Sequence, residues 1–282
     1  MLEKELETAV TLARLAGAKI NEFYKSGFTA EEKTGADNRS EPVTVADRTA
    51  SEIIVSGLEK AFPEDGILSE EKPDTEHRLS KKRAWIIDPL DGTKGFINRN
   101  GDFAVQIGLA ENGRGVLGVV YLPAEDSLYH AVRGSGTYLT ENSGSPQRLR
   151  ASDKDDFSSM DIAVSRDHRS SNMNRVIEDF GIRREVRRGS VGLKIGLIAR
   201  RICDLYIHFS PRTKHWDCCA PEVIIEEAGG VMTDLFGGKI IYNTEDVLNH
   251  NGMVASCGPA AHEKTLKALK PLLNEFGRLR VI

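Results

Sequence analysis

The sequence predicts a mixed α/β protein, with an α+β first half and an α/β second half. Three strand-like runs joined by turns that contain Gly or Asn indicate an antiparallel meander in the first half. These runs are residues 103–109, 115–122 and 127–132. Strand-like and helix-like segments alternate in the second half, which is typical of α/β layering. A polar stretch near residues 151–160 separates the two patterns, so we expect two regions, 1–155 and 156–282.

Local patterns predict the elements of the first half. Apolar positions at helical spacing predict a helix over residues 2–24, and the polar, Gly-containing stretch 26–41 predicts a loop or irregular hairpin. Residues 33–38 are a candidate flap over a site, although loops of this composition usually have no such role. A second helical pattern follows Asp47, which predicts Asp47 as its N-cap. That structural role is compatible with a role in a functional site.

The second half is predicted to alternate strands and helices. The predicted strands are 161–164, 185–188, 204–209, 231–233, 239–242 and 252–256, and the predicted helices are 172–180, 190–201, 218–228 and 262–273. Gly229-Gly230 ends the third of these helices. Proline is tolerated in a first helical turn, so Pro221 places Asp217 at or near the N-cap.

Composition and charge exclude several classes of function. The chain has 282 residues, a formal net charge of −4 and 40% hydrophobic residues, which suits one large domain or two closely packed ones. There is no basic field for nucleic acid and no apolar run of membrane-spanning length, so neither partner is expected. The four cysteines lack metal-binding spacing, which favours reduced thiols in a cytoplasmic protein. A monomer and a homodimer both remain open.

The segment 85–93, with the sequence WIIDPLDGT, carries the clearest chemical signal. Its apolar residues predict a buried strand that delivers Asp88 and Asp91 to its carboxyl end. Two such carboxylates repel each other unless a cation lies between them, and hard divalent cations prefer oxygen ligands. Free N–H groups at Gly92 and Thr93 suit a phosphate oxygen. The segment predicts a metal-assisted phosphate site, and a simple turn is the competing interpretation.

Other carboxylates extend this candidate site. Glu70 ends an apolar run and Asp217 begins a helix, although the sequence alone does not bring either next to Asp88. The candidate metal ligands are Glu70, Asp88, the Leu90 carbonyl, Asp91 and Asp217. An all-oxygen set favours magnesium or manganese over zinc, with two ions about 4 Å apart. Thr93 is expected to orient the attacking water, while Asp47 holds the Thr93 hydroxyl.

These motifs resemble those of the lithium-sensitive, magnesium-dependent phosphatase superfamily, which includes inositol monophosphatase, fructose bisphosphatase and 3'(2'),5'-bisphosphate nucleotidase. The likeness rests on Glu70-Glu71, on residues 88–93 and on residues 216–230, and it spans about residues 42–252. It implies a layered αβαβα sandwich, two or three Mg²⁺ ions with Mn²⁺ as a possible substitute, and lithium sensitivity. It also implies that the ligand set above binds metal and that Asp47, Glu70 and Thr93 are catalytic.

Within the superfamily the closer likeness is to the bisphosphate nucleotidases. The matching stretches are GTKGFI at 92–97, SRDH at 165–168, GLK at 192–194 and SPRTKHWDCCAPE at 210–222. The resemblance implies substrate contacts from Gly92, Thr93, Ser165, His168, Gly192, Lys194 and Arg212. His208 stands where some nucleotidases carry arginine, which leaves the contact to the 5'-phosphate open.

A second phosphate on the substrate needs cations, and the second half supplies several candidates. They are Arg166, His168, Lys194 and Arg212. Lys194 is the leading candidate for this contact, and solvated surface charge is the competing interpretation for the lysine and both arginines.

Three functions therefore remain open. The first is hydrolysis of adenosine 3',5'-bisphosphate to AMP and phosphate, and the second is hydrolysis of an inositol or sugar phosphate on the same scaffold. The third is a non-catalytic sensor of a phosphorylated ligand, against which the complete acidic set argues. In each of these readings the partner is a small phosphorylated molecule.

Overall fold

The computed structural model describes residues 2–166 and 171–281. The helices in these residues are α1 Glu3–Ser26, α2 Val45–Ala61, α3 Thr93–Ile97, α4 Ser171–Phe180, α5 Val191–Ala199, α6 His215–Glu227 and α7 Pro259–Glu275. The strands are β1 Ala30–Thr34, β2 Ser40–Thr44, β3 Gly66–Ser69, β4 Arg83–Asp91, β5 Ala104–Glu111, β6 Arg114–Leu122, β7 Ser127–Val132, β8 Gly136–Glu141, β9 Gln147–Leu149, β10 Asp161–Ser165, β11 Arg184–Arg188, β12 Leu205–His208, β13 Val231–Thr233 and β14 Met253–Ser256.

The described strands form three sheets. β1 and β2 make an antiparallel hairpin, so the hairpin alternative predicted for the polar stretch is confirmed. β3 to β9 form a seven-stranded sheet in chain order, parallel at β3–β4 and antiparallel thereafter, which confirms the predicted meander. The third sheet has five strands in the order β11-β10-β12-β14-β13. Its β10 pairs are parallel and its β14 pairs are antiparallel, so this sheet is mixed.

Helices alternate with the two large sheets. α1 and α2 pack together on the seven-stranded sheet, and α6 also packs on that sheet. α5 contacts α6 and also contacts β10 and β12 of the five-stranded sheet, while α7 contacts β14 and α4. The layers therefore run helix, sheet, helix, sheet, helix, as the resemblance implied.

Two glycines allow α6 to lie directly on the seven-stranded sheet. A Cβ atom at Gly108 would lie 2.6 Å from the Cys219 sulfur, and one at Gly118 would lie 2.4 Å from the Ala220 carbonyl oxygen. Side chains at either position would push the helix away. This close approach brings the first turn of α6, with Asp217, to the end of β4.

Local details correct three predictions. Residues 239–242 form no strand, because the segment runs past the β5–β6 turn, where the Tyr242 N–H donates to the Gly113 carbonyl at 2.9 Å. α6 begins at His215 instead of residue 218, so Pro221 lies in its second turn. The N-cap of α2 is the residue before Val45, which makes Asp47 the third helical residue instead of the cap.

The four cysteines, at positions 203, 218, 219 and 257, are all buried and free. The fold is therefore held without a cross-link between them. Among residues 2–166 and 171–281, no helix combines the length and the apolar character that crossing a membrane would need.

Candidate active site

A cavity of about 300 Å³ opens between the end of β4 and the segments around α5 and α6. Its lining combines carboxylates of the first half with cations of the second half. The lining residues include Glu41, Glu70, Asp88, Asp91, Gly92, Thr93, Ser165, Arg166, Ser190, Lys194, Tyr206, His208, Arg212, Lys214 and Asp217. Most residues that the sequence singled out therefore face one space.

Three carboxylates meet at one end of this cavity. One ligand oxygen each from Asp88, Asp91 and Asp217 lies within 4.8 Å of the other two. The register of β4 against β5 shifts between Asp88 and Asp91, because Pro89 has no N–H to donate. The Leu90 N–H turns back to Asp88 Oδ1 at 3.0 Å. The strand end thus delivers two of the three carboxylates.

These carboxylates are difficult to ionise together. Burial raises the pKa of Asp88, and repulsion from Glu70 and Asp91 raises it further. Burial, followed by repulsion from Asp91, raises the pKa of Asp217 to about 8. A divalent cation between them would reverse this repulsion and favour the ionised forms.

One oxygen of Asp91 is held by four hydrogen bonds. Gln106 Nε2 donates to Oδ2 at 2.8 Å, and Ser190 Oγ donates at 2.5 Å. The N–H groups of Val191 and Gly192, at the start of α5, donate to the same oxygen at 2.7 and 3.3 Å. Oδ1 is therefore the oxygen available to a cation. Gly192, predicted as a substrate contact, directs its N–H to Asp91.

Glu70 joins the carboxylates to the β1–β2 hairpin. The charge of Glu70 raises the pKa of Asp88, and Lys33 Nζ on β1 lies 2.9 Å from Glu70 Oε1. Lys33 also binds the Glu71 carboxylate. Although burial lowers the pKa of Lys33, attraction by the two glutamates raises it overall. Lys33 therefore stays protonated, and the hairpin places its positive charge at this end of the cavity.

Asp47 and Thr93 form a connected pair. Asp47 Oδ2 accepts from the Thr44 N–H at 2.7 Å and from Thr44 Oγ1 at 2.5 Å, which fixes the carboxylate at the start of α2. Its other oxygen, Oδ1, accepts from Thr93 Oγ1 at 3.0 Å. Burial raises the pKa of Asp47, which makes the carboxylate a better proton acceptor.

The turn after Asp91 requires glycine. Gly92 has φ +95°, in the left-handed region, and a Cβ atom there would lie 2.4 Å from the Asp102 carbonyl oxygen. Thr93 follows at the start of α3, with its hydroxyl 3.3 Å from the Leu90 carbonyl oxygen. The turn thus brings the predicted Leu90 ligand and the predicted Thr93 catalytic group together.

Lys194 lies inside the protein, so the surface-charge interpretation is wrong for this residue. It is only 3% exposed. Its Nζ is 3.1 Å from the Gly189 carbonyl oxygen and 4.9 Å from the Tyr206 ring centroid. Its charge also counteracts the effect of burial on the pKa of Asp91. Lys194 therefore acts on the carboxylate end as well as lining the cavity.

The two arginines at the cavity are partly exposed and paired with carboxylates. Arg166 Nε lies 2.5 Å from Asp102, and the side chain is 39% exposed. Arg212 Nε lies 2.6 Å from Asp37 of the hairpin, and its side chain is 40% exposed. Ser165 lines the cavity beside Arg166. The predicted contact His168 lies outside the described residues.

The sequence analysis missed several residues that shape the site. Gln106 is a fully buried amide within the apolar strand β5, and that break in the pattern was a readable signal. Ser190 caps α5 by accepting from the Leu193 N–H at 3.3 Å, a role typical of serine before a helix. Lys33 belongs to the segment 33–38 that was predicted as a candidate flap, but its pairing with Glu70 and Glu71 was not predicted, because no local pattern signals a contact between residues so distant in sequence.

The residues at this end fit a hard divalent cation. The available donors are carboxylate oxygens and a backbone carbonyl, which suit magnesium or manganese. Asp88, Asp91 and Asp217 are close enough to share an ion, and a cation between them would offset the repulsion that raises the pKa values of Asp88 and Asp217.

Comparisons with known proteins agree with this arrangement. The family model for the inositol monophosphatase family matches residues 1–273. The chain is 33% identical over 252 residues to the 3'(2'),5'-bisphosphate nucleotidase CysQ of Escherichia coli O157:H7, covering 89% of this chain and 99% of that protein.

Comparison with solved structures also finds proteins of this family. The crystal structure of CysQ from Bacteroides thetaiotaomicron is 32% identical, with a TM-score of 0.77 and coverage of 91% of this chain and 98% of that one. The Thermotoga maritima IMPase has a TM-score of 0.80 at 27% identity, covering 97% and 100%. The protein therefore belongs to the inositol monophosphatase family, whose members are metal-dependent phosphatases that act on small phosphorylated substrates.

Proposed function

We propose that the protein is a 3'(2'),5'-bisphosphate nucleotidase, which hydrolyses adenosine 3',5'-bisphosphate to AMP and phosphate. The observation that carries this proposal is the division of one cavity into a carboxylate end, at Asp88, Asp91 and Asp217, and a lining that includes Arg166 and Lys194. A substrate with two phosphates would place one at each part. The 33% identity to CysQ supports the same choice.

Metal would be held by the carboxylate end. Asp88, Asp91 and Asp217, together with Glu70 and the Leu90 carbonyl, would bind two or three Mg²⁺ ions, with Mn²⁺ as a substitute. When bound, such ions neutralise the phosphate and lower the pKa of water. Gln106 and α5 hold Asp91 in one orientation, and the neighbouring turn through Gly92 and Thr93 would receive the phosphate.

The Thr93–Asp47 pair would handle the proton. The Thr93 hydroxyl donates to Asp47 Oδ1, so the lone pairs of the Thr93 oxygen can accept a hydrogen bond from the attacking water. The pKa of Asp47, raised by burial, favours uptake of the proton that leaves this water. Thr44 keeps the carboxylate in place during the transfer.

Substrate selection would occur at the second-half residues of the cavity. Ser165, Lys194 and Arg212, together with His168, would contact the ribose, base or second phosphate, while Gly192 would act through its hydrogen bond to Asp91. Lys194 supplies a buried charge, and Arg212 supplies a partly exposed one. We also propose a cytoplasmic location, a monomer or homodimer, and two regions divided near residue 155.

An inositol or sugar phosphate phosphatase is the second candidate. The observation that favours it is the pairing of Arg212 with Asp37, which reduces the attraction of Arg212 for a second phosphate. The structural similarity to the Thermotoga maritima IMPase agrees with this alternative.

A substrate panel tests the proposal. Phosphate release would be measured with Mg²⁺ for adenosine 3',5'-bisphosphate, an inositol monophosphate and fructose bisphosphate, with kcat/KM as the readout. We expect the highest value for the nucleotide, loss of activity after chelation, and inhibition by lithium and excess calcium. A higher value for inositol phosphate would support the second candidate. Full activity after exhaustive chelation would overturn the metal requirement, and no release from any substrate would support a phospholigand sensor.

A further inference from the structure

Asp102 is a buried carboxylate outside the set discussed above. It lies in the loop between α3 and β5 and is 0% exposed. Its Oδ2 accepts from Arg166 Nε at 2.5 Å and from the Gly189 N–H at 2.8 Å, while its Oδ1 accepts from Arg188 Nη1 at 3.0 Å. A buried carboxylate needs such donors to remain ionised. All three donors come from the second half of the chain, so Asp102 joins the two halves.

The backbone of Asp102 also supports the turn that follows Asp91. Cβ atoms at Gly92 and Gly95 would lie 2.4 and 2.3 Å from the Asp102 carbonyl oxygen. The same residue therefore lies under the turn at the carboxylate end, while its side chain holds Arg166. Because the turn contacts the backbone, a change of the Asp102 side chain alone can alter Arg166 and leave the turn in place.

Arg166 is suited to bind an anion while it is held by Asp102. Its side chain lines the cavity and is 39% exposed. A guanidinium carries several N–H donors in a fixed fork. Arg166 Nε binds Asp102 and its Nη2 donates to the Arg187 carbonyl oxygen at 3.3 Å, so Nη1 is the nitrogen that would receive a further anion. Arg188 differs, because both of its terminal nitrogens already bind carboxylates, those of Asp102 and Glu125. The geometry therefore directs Arg166, among these two arginines, toward the cavity.

We propose that Asp102 is a positioning residue that holds Arg166 at the cavity to receive the substrate phosphate that is not hydrolysed. This inference rests on the proposed nucleotidase function. The Asp102 side chain binds Arg166, Arg188 and Gly189 and not the carboxylates of Asp88, Asp91 and Asp217, so we expect its substitution to alter substrate choice. Loss of Asp102 would leave Arg166 free to adopt other rotamers, with a cost in binding the distal anion.

A matched pair of substrates isolates this contact. Adenosine 3',5'-bisphosphate and adenosine 3'-monophosphate differ only in the 5'-phosphate. We expect Asp102→Asn and Arg166→Ala each to lower kcat/KM for the bisphosphate by about ten- to a hundredfold, mainly through KM. The monophosphate should change by less than about threefold, since it lacks the group that Arg166 receives. The double variant should lower kcat/KM for the bisphosphate no further than the more damaging of the two single changes, because both changes remove the same interaction.

Three controls separate positioning from structure. Arg187 lies next to Arg188 at the end of β11 and is exposed. Arg187→Ala removes its positive charge and should leave kcat/KM for both substrates unchanged. Arg166→Lys should not restore the bisphosphate preference, because lysine lacks the fork. If Asp102→Asn does not fold, as judged by its melting temperature, Asp102→Glu keeps the charge but moves it, and it should still lower the bisphosphate preference.

The outcomes distinguish the two levels of the proposal. A wild-type enzyme that does not prefer the bisphosphate would overturn the proposed function and this inference together. A wild-type enzyme that prefers it, with Arg166→Ala keeping that preference, would overturn the inference alone. Equal losses on both substrates in the Asp102 variants would assign Asp102 to structure and also overturn the inference.

Discussion

The two ends of the cavity differ in whether their charged side chains are paired with groups of opposite charge. At the carboxylate end, Asp88, Asp91 and Asp217 lie together and their mutual repulsion adds to the effect of burial. At the other end, the cation end formed by Arg166 and Arg212, each arginine is already paired with a carboxylate. An added cation would offset the repulsion at the first end, whereas carboxylates of the protein pair with the arginines at the second end. Substitutions should therefore have large effects at the first end and smaller, substrate-dependent effects at the second.

The largest expected effect is that of Asp88→Asn. We expect kcat to fall by at least about a thousandfold, because the change removes a central charge from the carboxylate end. The fold should survive, since asparagine has the same shape and relieves repulsion. The measurement is steady-state kinetics with Mg²⁺, accompanied by a melting temperature. Near-normal turnover would remove Asp88 from the site.

The next largest effect is expected from changes to Asp47 and Thr93, the pair proposed to take the proton from the attacking water. Asp47→Asn and Thr93→Ala should each lower kcat by about a hundredfold or more, the usual contribution of a positioned acid–base group. Thr93→Ser keeps the hydroxyl and should recover most of this loss. If Thr93→Ser is as inactive as Thr93→Ala, the threonine methyl group and not the hydroxyl is what matters.

Lys194 joins the two ends, and its substitution sharpens the comparison. Lys194→Ala should lower kcat/KM for adenosine 3',5'-bisphosphate by about ten- to a hundredfold, the value of one charge-assisted contact. A small monophosphate should be barely affected, since it lacks the second phosphate. Equal losses on both substrates would instead assign Lys194 to Asp91 and the carboxylate end, a role that its effect on the Asp91 pKa also allows.

Stability of the metal-free protein should reveal the repulsion directly. The pKa of Asp217 is about 8 in the folded protein, against an ordinary value of 3.8, so the folded state binds more protons than the unfolded state between these values. The contribution of Asp217 to stability in chelator should therefore be lost as the pH rises from about 4 to about 8. The melting temperature of Asp217→Asn minus that of the wild type should rise over this pH range in chelator, and saturating Mg²⁺ should stabilise the wild type more than the variant. A difference between the two proteins that does not change with pH would contradict the charge comparison.

The smallest effect is expected where the protein itself supplies the counter-charge. Asp37→Asn removes the nearer of two hairpin carboxylates that pair with Arg212 and leaves Glu41 at 3.8 Å. We expect KM for the bisphosphate to fall by less than about fivefold, since partly exposed ion pairs contribute little. Arg48→Ala, which breaks another ion pair of the hairpin with Glu31, is the matched control and should leave KM unchanged. A rise in KM for Asp37→Asn would show that the pair helps binding.

The sequence predicted the parts of the site that lie close together in the chain. The apolar run before Asp88 and the break at Pro89 correctly indicated a buried strand ending in paired carboxylates. Asp217 was connected to them only through the family resemblance, because its approach depends on α6 packing on the sheet at Gly108 and Gly118. No periodic pattern encodes contact between elements so distant in the chain.

Hydrogen bonds across the halves were not predictable for the same reason. The Ser190 hydroxyl reaches Asp91 across 99 positions, and Arg212 reaches Asp37 across 175. The beginning of α6 was also misplaced, because Pro221 was assigned to a first turn although the helix accommodates it in the second. Residues 239–242 show strand-like composition, but their position beside Gly113 decides their conformation.

The four hydrogen bonds that hold one oxygen of Asp91 have a consequence for how the chain folds. Their donors come from β5 and from the start of α5, so the carboxylate reaches its final orientation only after distant parts of the chain have met. Closing such long loops is slow compared with forming helices or hairpins. Catalytic competence should thus be among the last properties that the folding chain acquires. A partly synthesised chain would carry Asp88 and Asp91 as a weak, flexible chelator, and tight ion binding would mark completion of the molecule.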